Sequence, residues 1–175
     1  MMQQQHLDYN NISSAYQHGF RKLHSCETQL LVTVLDRISC LTWQSYTDWY
    51  GHFGFSKAFD AVPHRRLLGK LSNYGIYYPT LCWTEAFLVD RVQGLVVEGF
   101  RSQEDKILSG VPHGTVLGPR LFLLYINDLP SVVTSQVRLF ADDCLLYQPI
   151  LSDADRVALR RDLDSLEKWC DTWGK

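Results

Sequence analysis

The chain has 175 residues, a formal net charge of −2 and a sequence pI near 6.3, so no global basic field marks it as a nucleic-acid binder. Its length suits one domain with a real core, and an apolar content of 46% with 13% aromatics excludes intrinsic disorder. Five cysteines without CxxC spacing argue against a disulfide scaffold or a zinc site and fit a reducing compartment.

The opening Met1-Met2-Gln3-Gln4-Gln5-His6 is neither a signal peptide nor an Arg-rich transit sequence, and no apolar run reaches the ~18 residues of a membrane span. An intracellular protein of cytoplasm or nucleus, with no membrane partner, is the expectation. Residues 1–16 are polar and read as a flexible tail, with one domain over 17–175. Gln17-His18-Gly19-Phe20-Arg21-Lys22 precedes a helix that Ser25 can cap and whose Leu30, Val34, Ile38 and Leu41 make an apolar stripe. Arg21 and Lys22 can hold a phosphate there or be solvated charges; the residues leave both open.

Residues 42–52 are aromatic, irregular and interrupted by Gly51, and so read as a poor strand. Pro63 suits the first turn of a helix with Leu67, Leu68, Leu71 and Tyr74 on one side and Gly75 as its C-cap. Pro79 opens a short helix with Leu81, Trp83, Phe87 and Leu88. A strand at Leu95-Val96-Val97, a polar turn over 102–105 and a strand around Lys106-Ile107-Leu108 follow. Residues 109–119 hold Gly110, Gly114, Gly118, Pro112 and Pro119, the composition of a rigid, tightly turned loop with exposed backbone N–H groups. Pro119 then starts a buried helix, and Ser152-Asp153 caps a last one with Leu159, Leu163, Leu166, Cys170 and Trp173. The chain stops with that last apolar face in need of a partner.

Between these helices, Val137 to Tyr147 places two apolar strand-length runs around Asp142-Asp143, which reads as a β-hairpin with both acids at its turn. Adjacent carboxylates repel, and a hard cation such as Mg²⁺ relieves that. For an isolated pair, a turn that uses Asp for local hydrogen bonding is the plainer reading, and the rest of the chain overturns it.

Taken together, Gln17-His18-Gly19-Phe20-Arg21, Phe55-Ser56-Lys57-Ala58-Phe59-Asp60-Ala61-Val62-Pro63-His64, Ser109-Gly110-Val111-Pro112, Gly114 to Pro119, Leu121 to Leu129 and Phe140-Ala141-Asp142-Asp143 resemble the reverse transcriptase of non-LTR, LINE-like retrotransposons. The resemblance implies an α+β fold: a polymerase palm with partial fingers, an antiparallel sheet backed by helices, and the thumb absent. It implies an RNA-directed DNA polymerase that takes an RNA template, a DNA primer and dNTPs, with Mg²⁺ (Mn²⁺ possible) in a two-metal mechanism. Asp142 and Asp143 match the catalytic metal-binding pair. Phe59 matches the aromatic under the incoming sugar, with core packing as the plain alternative. Pro112, His113 and Gly114 match the loop beside the incoming nucleotide, and Arg21 falls in a fingers segment that faces template or triphosphate.

Two departures stand against full activity. The family carries an aspartate directly before the Phe-Ser-Lys-Ala-Phe-Asp run, and here that metal position is Gly54. Asp48 lies six residues upstream, roughly 20 Å along an extended strand, too far to replace it. His113 stands where the family has glutamine, and Asp60 matches a separate family position after the aromatic. The resemblance thus implies a reverse-transcriptase fragment with impaired catalysis; a non-catalytic nucleic-acid- or metal-binding remnant and a non-functional relic are the competing readings.

Overall fold

The computed structural model describes residues 12–42 and 47–173; most of the expected tail and residues 43–46 lie outside the described residues. In chain order the elements are α1 (Cys26–Thr42), β1 (Thr47–Gly54), α2 (His64–Asn73), α3 (Thr80–Leu88), β2 (Val92–Gln93), β3 (Val96–Val97), β4 (Phe100–Arg101), β5 (Asp105–Lys106), α4 (Leu117–Tyr125), a 3₁₀ turn (Leu129–Val132), β6 (Gln136–Phe140), β7 (Asp143–Ile150) and α5 (Asp153–Trp173). The protein is α+β, with helices and antiparallel sheets. It divides into two compact units, one of Met1–Ser56 with Ile126–Gly174, the other of Lys57–Tyr125. No helix among the described residues is long and apolar enough to cross a membrane.

The first unit is built on a three-stranded antiparallel sheet in the order β1-β7-β6. Alternation makes β6 and β7 strands: Val137, Leu139, Cys144 and Leu146 turn inward and are buried. Residues 47–54 correct the expectation of a poor strand. Their ladder with β7 runs unbroken from Thr47↔Ile150 to Gly54↔Asp143. Thr, Trp, Tyr and Phe all suit a pleated surface, and the central β7 supplies the pairing that Gly51 alone would not favour.

α1 has the expected cap: Ser25 Oγ accepts from Thr28 N–H at 3.2 Å while Thr28 Oγ1 accepts from Ser25 N–H at 2.8 Å. Its facing is the opposite of the apolar stripe. Leu30, Leu31, Val34, Leu35 and Ile38 are exposed, whereas Gln29, Val32, Thr33 and Asp36 form the more covered side. Asp36 decides this, because its carboxylate accepts from Arg138 Nη2 at 2.8 Å and from the Tyr147 hydroxyl. Burial, and then the bond to Asp36, pushes the Tyr147 phenol well above its usual range.

α5 finds its partner within the unit, packing on β7 and the 3₁₀ turn with Leu159, Asp162, Leu166 and Trp169 buried. Ser152 and Asp155 cap it: Asp155 Oδ2 accepts from Ser152 N–H and Oγ–H, each at 2.8 Å, and Asp155 N–H donates to Ser152 O at 3.2 Å. The buried Asp162 carboxylate takes the backbone N–H groups of Thr134 and Ser135 and both their hydroxyls at 2.5–3.2 Å.

The second unit packs α2 against α3 and α4 around Leu67, Leu71, Leu88, Leu121 and Phe122. α2 ends in a Schellman motif, with Gly75 N–H on Ser72 O and Ile76 N–H on Leu71 O, both at 3.0 Å, and Ile76 and Leu71 both buried. Buried Lys70 donates to Tyr125 O at 2.7 Å and caps the end of α4. α4 begins at Leu117, so Pro119 falls inside the first turn, where a missing N–H costs no bond. The expected turn over 102–105 is corrected: β3 and β4 join at Glu98-Gly99, both at positive φ (51° and 84°), as a tight two-residue hairpin requires. The polar residues lie in its returning arm, where β5 pairs with β2.

Candidate active site

In the first unit the β6–β7 hairpin closes through Phe140↔Asp143, so its two loop residues are Ala141 and Asp142, and Asp143 is the first residue of β7 rather than part of the turn. Asp142 is half-buried and Asp143 exposed. Ala141 has φ 51°, a strained value for a side-chain-bearing residue, and needs outside support. Gln17 supplies it: Oε1 accepts from Ala141 N–H at 2.9 Å and Nε2 donates to Ala141 O at 3.2 Å. The same Oε1 accepts from Gly19 N–H at 2.7 Å. A Cβ on Gly19 would stand 2.3 Å from Ala141 N, so only glycine fits this approach. Residues 16–18 continue the clamp with Leu139 N–H on Tyr16 O and His18 N–H on Leu139 O, each at 2.9 Å. The Gln17-His18-Gly19 run is therefore a splint for the Asp142 turn.

Gly54 stands directly across the ladder from Asp143. A Cβ there would lie 3.7 Å from Asp143 Oδ1, an ordinary van der Waals contact, so the position is open to a side chain. What Asp143 faces is His52, whose Nε2 lies 3.6 Å from the same Oδ1. Asp48 pairs with Pro149, at the far end of β1. Arg21 turns back on its own segment, donating from Nη1 to Ser14 O and, at 3.3 Å, to Gln17 O. Two carboxylates are suitable hard donors for Mg²⁺. The described residues nonetheless contain no group of three or more His, Cys, Asp or Glu placed to hold a metal ion.

In the second unit the glycine loop is zipped onto residues 59–64. Gly110 N–H bonds Val62 O, and Val111 N–H bonds Phe59 O, both at 2.8 Å; Ser109 Oγ donates to Asp60 O at 2.7 Å. Gly110 O receives His64 Nε2 at 2.9 Å and Arg91 Nη2 at 2.8 Å. Gly110 itself has φ +87°, and an added Cβ would meet Asp60 Cα at 2.7 Å. Phe59 is half-buried, its ring 4.4 Å from Phe122 and 5.8 Å from His113 between centroids. His113 and Gly114 are exposed at the head of the loop, and Pro112 O accepts from Thr115 Oγ1 at 2.8 Å. This unit brings Phe59, Pro112, His113 and Gly114 into one small region, as the first unit does for Asp142, Asp143 and Gly54.

A family model described as reverse transcriptase (RNA-dependent DNA polymerase) matches the chain over residues 1–175. The chain belongs to the reverse transcriptase family. It is 30% identical over 169 residues to the RNA-directed DNA polymerase from mobile element jockey of Drosophila melanogaster, covering 90% of this chain and 18% of that protein. The jockey polymerase of Drosophila funebris is 29% identical over 170 residues, with the same coverage of 90% and 18%. The chain thus spans less than a fifth of the length of these relatives. The resemblance to retrotransposon reverse transcriptases drawn from the motifs holds, and the chain is a reverse transcriptase domain of that kind. Two residues beside the site carry little signal in the sequence: Gln17 reads only as part of a motif and His52 as one aromatic among several. Asp60 matches a family position, but nothing in the chain announces its partner His113, 53 positions away.

Proposed function

We propose that the chain is the palm and part of the fingers of a retrotransposon RNA-directed DNA polymerase, acting inside the cell on an RNA template, a DNA primer and dNTPs, with nucleotidyl transfer impaired at one metal position. Asp142 and Asp143 are the proposed metal-binding carboxylates, Phe59 the residue under the nucleotide sugar, and Pro112, His113 and Gly114 the nucleotide loop. Arg21 is a weaker member, since its Nη1 is engaged by Ser14 O and Gln17 O. When bound, Mg²⁺ or Mn²⁺ supplies the charge that activates a primer hydroxyl and steadies the leaving phosphates. The donor set falls short of that, and the observation that carries the impairment is Gly54 opposite Asp143 with open space where a carboxylate would fit. What remains for this chain's own residues is to splint the Asp142 turn and to hold a nucleotide against Phe59 and His113.

His52 beside Asp143 favours a second reading, a non-catalytic nucleic-acid- or metal-binding remnant, because an imidazole nitrogen stands 3.6 Å from the carboxylate oxygen that an ion would otherwise meet. Primer extension on an RNA template with Mg²⁺ or Mn²⁺ tests the first reading, and a salt-dependent gel shift separates the remnant from a relic without function.

A further inference from the structure

His52 and Gly54 lie two residues apart on β1, and so on one face of the strand, and Asp143 pairs with Gly54 on the same face of β7. His52 and Asp143 are therefore diagonal neighbours, a separation that long side chains can span. Their polar ends converge beside Gly54: Nε2 and Oδ1 stand 3.6 Å apart, and the side chains are 63% and 53% exposed. Outside the chain neighbours of Gly54, Asp143 Oδ1 is the one described atom within 4 Å of a Cβ built there, so the missing side chain leaves room beside the carboxylate. A pair this exposed adds little to stability as an ion pair. Its spacing has a second consequence. A metal held in tetrahedral geometry at about 2.0–2.2 Å by an imidazole nitrogen and a carboxylate oxygen keeps those two atoms about 3.3–3.5 Å apart. Adjacent ligands of an octahedral Mg²⁺, at about 2.0–2.1 Å, sit only about 2.9 Å apart.

We infer that His52 and Asp143 form a two-ligand site for a borderline divalent cation, zinc in preference to magnesium, with water completing the tetrahedron. Imidazole is a good ligand for Zn²⁺, whereas Mg²⁺ favours carboxylate and water oxygens, and at mixed nitrogen and oxygen donors Zn²⁺ stands well above Mn²⁺. The site uses none of the cysteines. The glycine that withholds a carboxylate from the hairpin is also what makes room beside Asp143 for the imidazole and an ion. The departure at Gly54 thus changes which metal the hairpin takes. This deepens the reading of a metal-binding remnant and rests on it.

The test is titration of the full chain with Zn²⁺ and, separately, Mg²⁺, followed through the ¹⁵N signals of the His52 ring and the ¹³C signal of the Asp143 carboxyl. Reading two assigned residues separates this site from zinc held by a cysteine. Zn²⁺ is expected to move both signals with one midpoint, about tenfold or more below the Mg²⁺ midpoint at Asp143. His52→Ala is expected to raise the Zn²⁺ midpoint at Asp143 by about tenfold or more and to leave the Mg²⁺ midpoint where it was. Zn²⁺ that moves Asp143 without the His52 ring overturns the inference. So does a His52→Ala chain that keeps the parent's Zn²⁺ midpoint; in both cases metal binding by the carboxylate stands. A parent whose Asp143 responds to neither metal overturns the metal-binding reading itself and this inference with it.

Discussion

Position 54 faces Asp143 across the ladder, and the nearest atom to an added Cβ is Asp143 Oδ1 at 3.7 Å, so an aspartate fits there without displacing backbone. Without metal, Gly54→Asp adds a third like charge beside Asp142 and Asp143 and is expected to lower the Tm. With Mn²⁺ the repulsion becomes a ligand set, and the variant's Tm should rise more than the parent's. An identical Mn²⁺ response in both proteins would place the metal elsewhere. Asp162 offers a second test. Burial opposes its ionisation, but the hydrogen bonds from Ser135 and Thr134 outweigh that and hold its carboxyl below the usual range. A folded pKa below the unfolded one means the contribution is present above about pH 4 and lost as pH falls through the folded value. Asp162→Asn is therefore expected to lower stability by about 2 kcal/mol near neutral pH, with the gap to the parent narrowing in acid. Thermal melts across pH read this directly. Asp142, Asp143 and Phe59 stand out in the sequence as candidates because the proposed chemistry travels with short motifs. Asp162 is not, since on paper it is one more acid on an amphipathic helix.

At the scale of elements, period and facing separate. The spacing of Leu30, Val34 and Ile38 correctly announces a helix, yet α1 turns those residues outward and puts Asp36 inward. A carboxylate shared by Arg138 and Tyr147 is costly to strand, whereas leucines left on a surface forgo only their burial. Substitutions distinguish the two faces. Leu30→Ala and Leu31→Ala, at 64% and 59% exposure, should each change stability by no more than about 0.5 kcal/mol. Asp36→Ala should cost about 1–3 kcal/mol and speed amide exchange in α1. Urea unfolding and hydrogen exchange measure both, and a large loss for the leucines would mean that this face is covered in solution. β1 teaches the complementary lesson: an aromatic, glycine-broken stretch becomes a regular strand because β7 offers eight consecutive partners.

For the molecule as a whole, the proposed impairment predicts that the unmodified chain gives no RNA-templated extension above background in Mg²⁺ or Mn²⁺, since losing one metal-positioning group costs orders of magnitude in rate. Robust synthesis by the parent, abolished by Asp143→Asn, would mean that another residue supplies the third carboxylate. The family, the α+β class, a hairpin around Asp142 and the glycine loop follow from the sequence alone, because each depends on residues adjacent in the chain or on local backbone preference. Only tertiary structure decides that Gln17 and Gly19 brace the Ala141 turn, that Asp162 gathers Thr134 and Ser135, that α1 faces inward with Asp36, and that Asp60 meets His113. Those are contacts between residues 27 to 124 positions apart, made by side chains whose type fits many roles, and folding alone selects one partner for each.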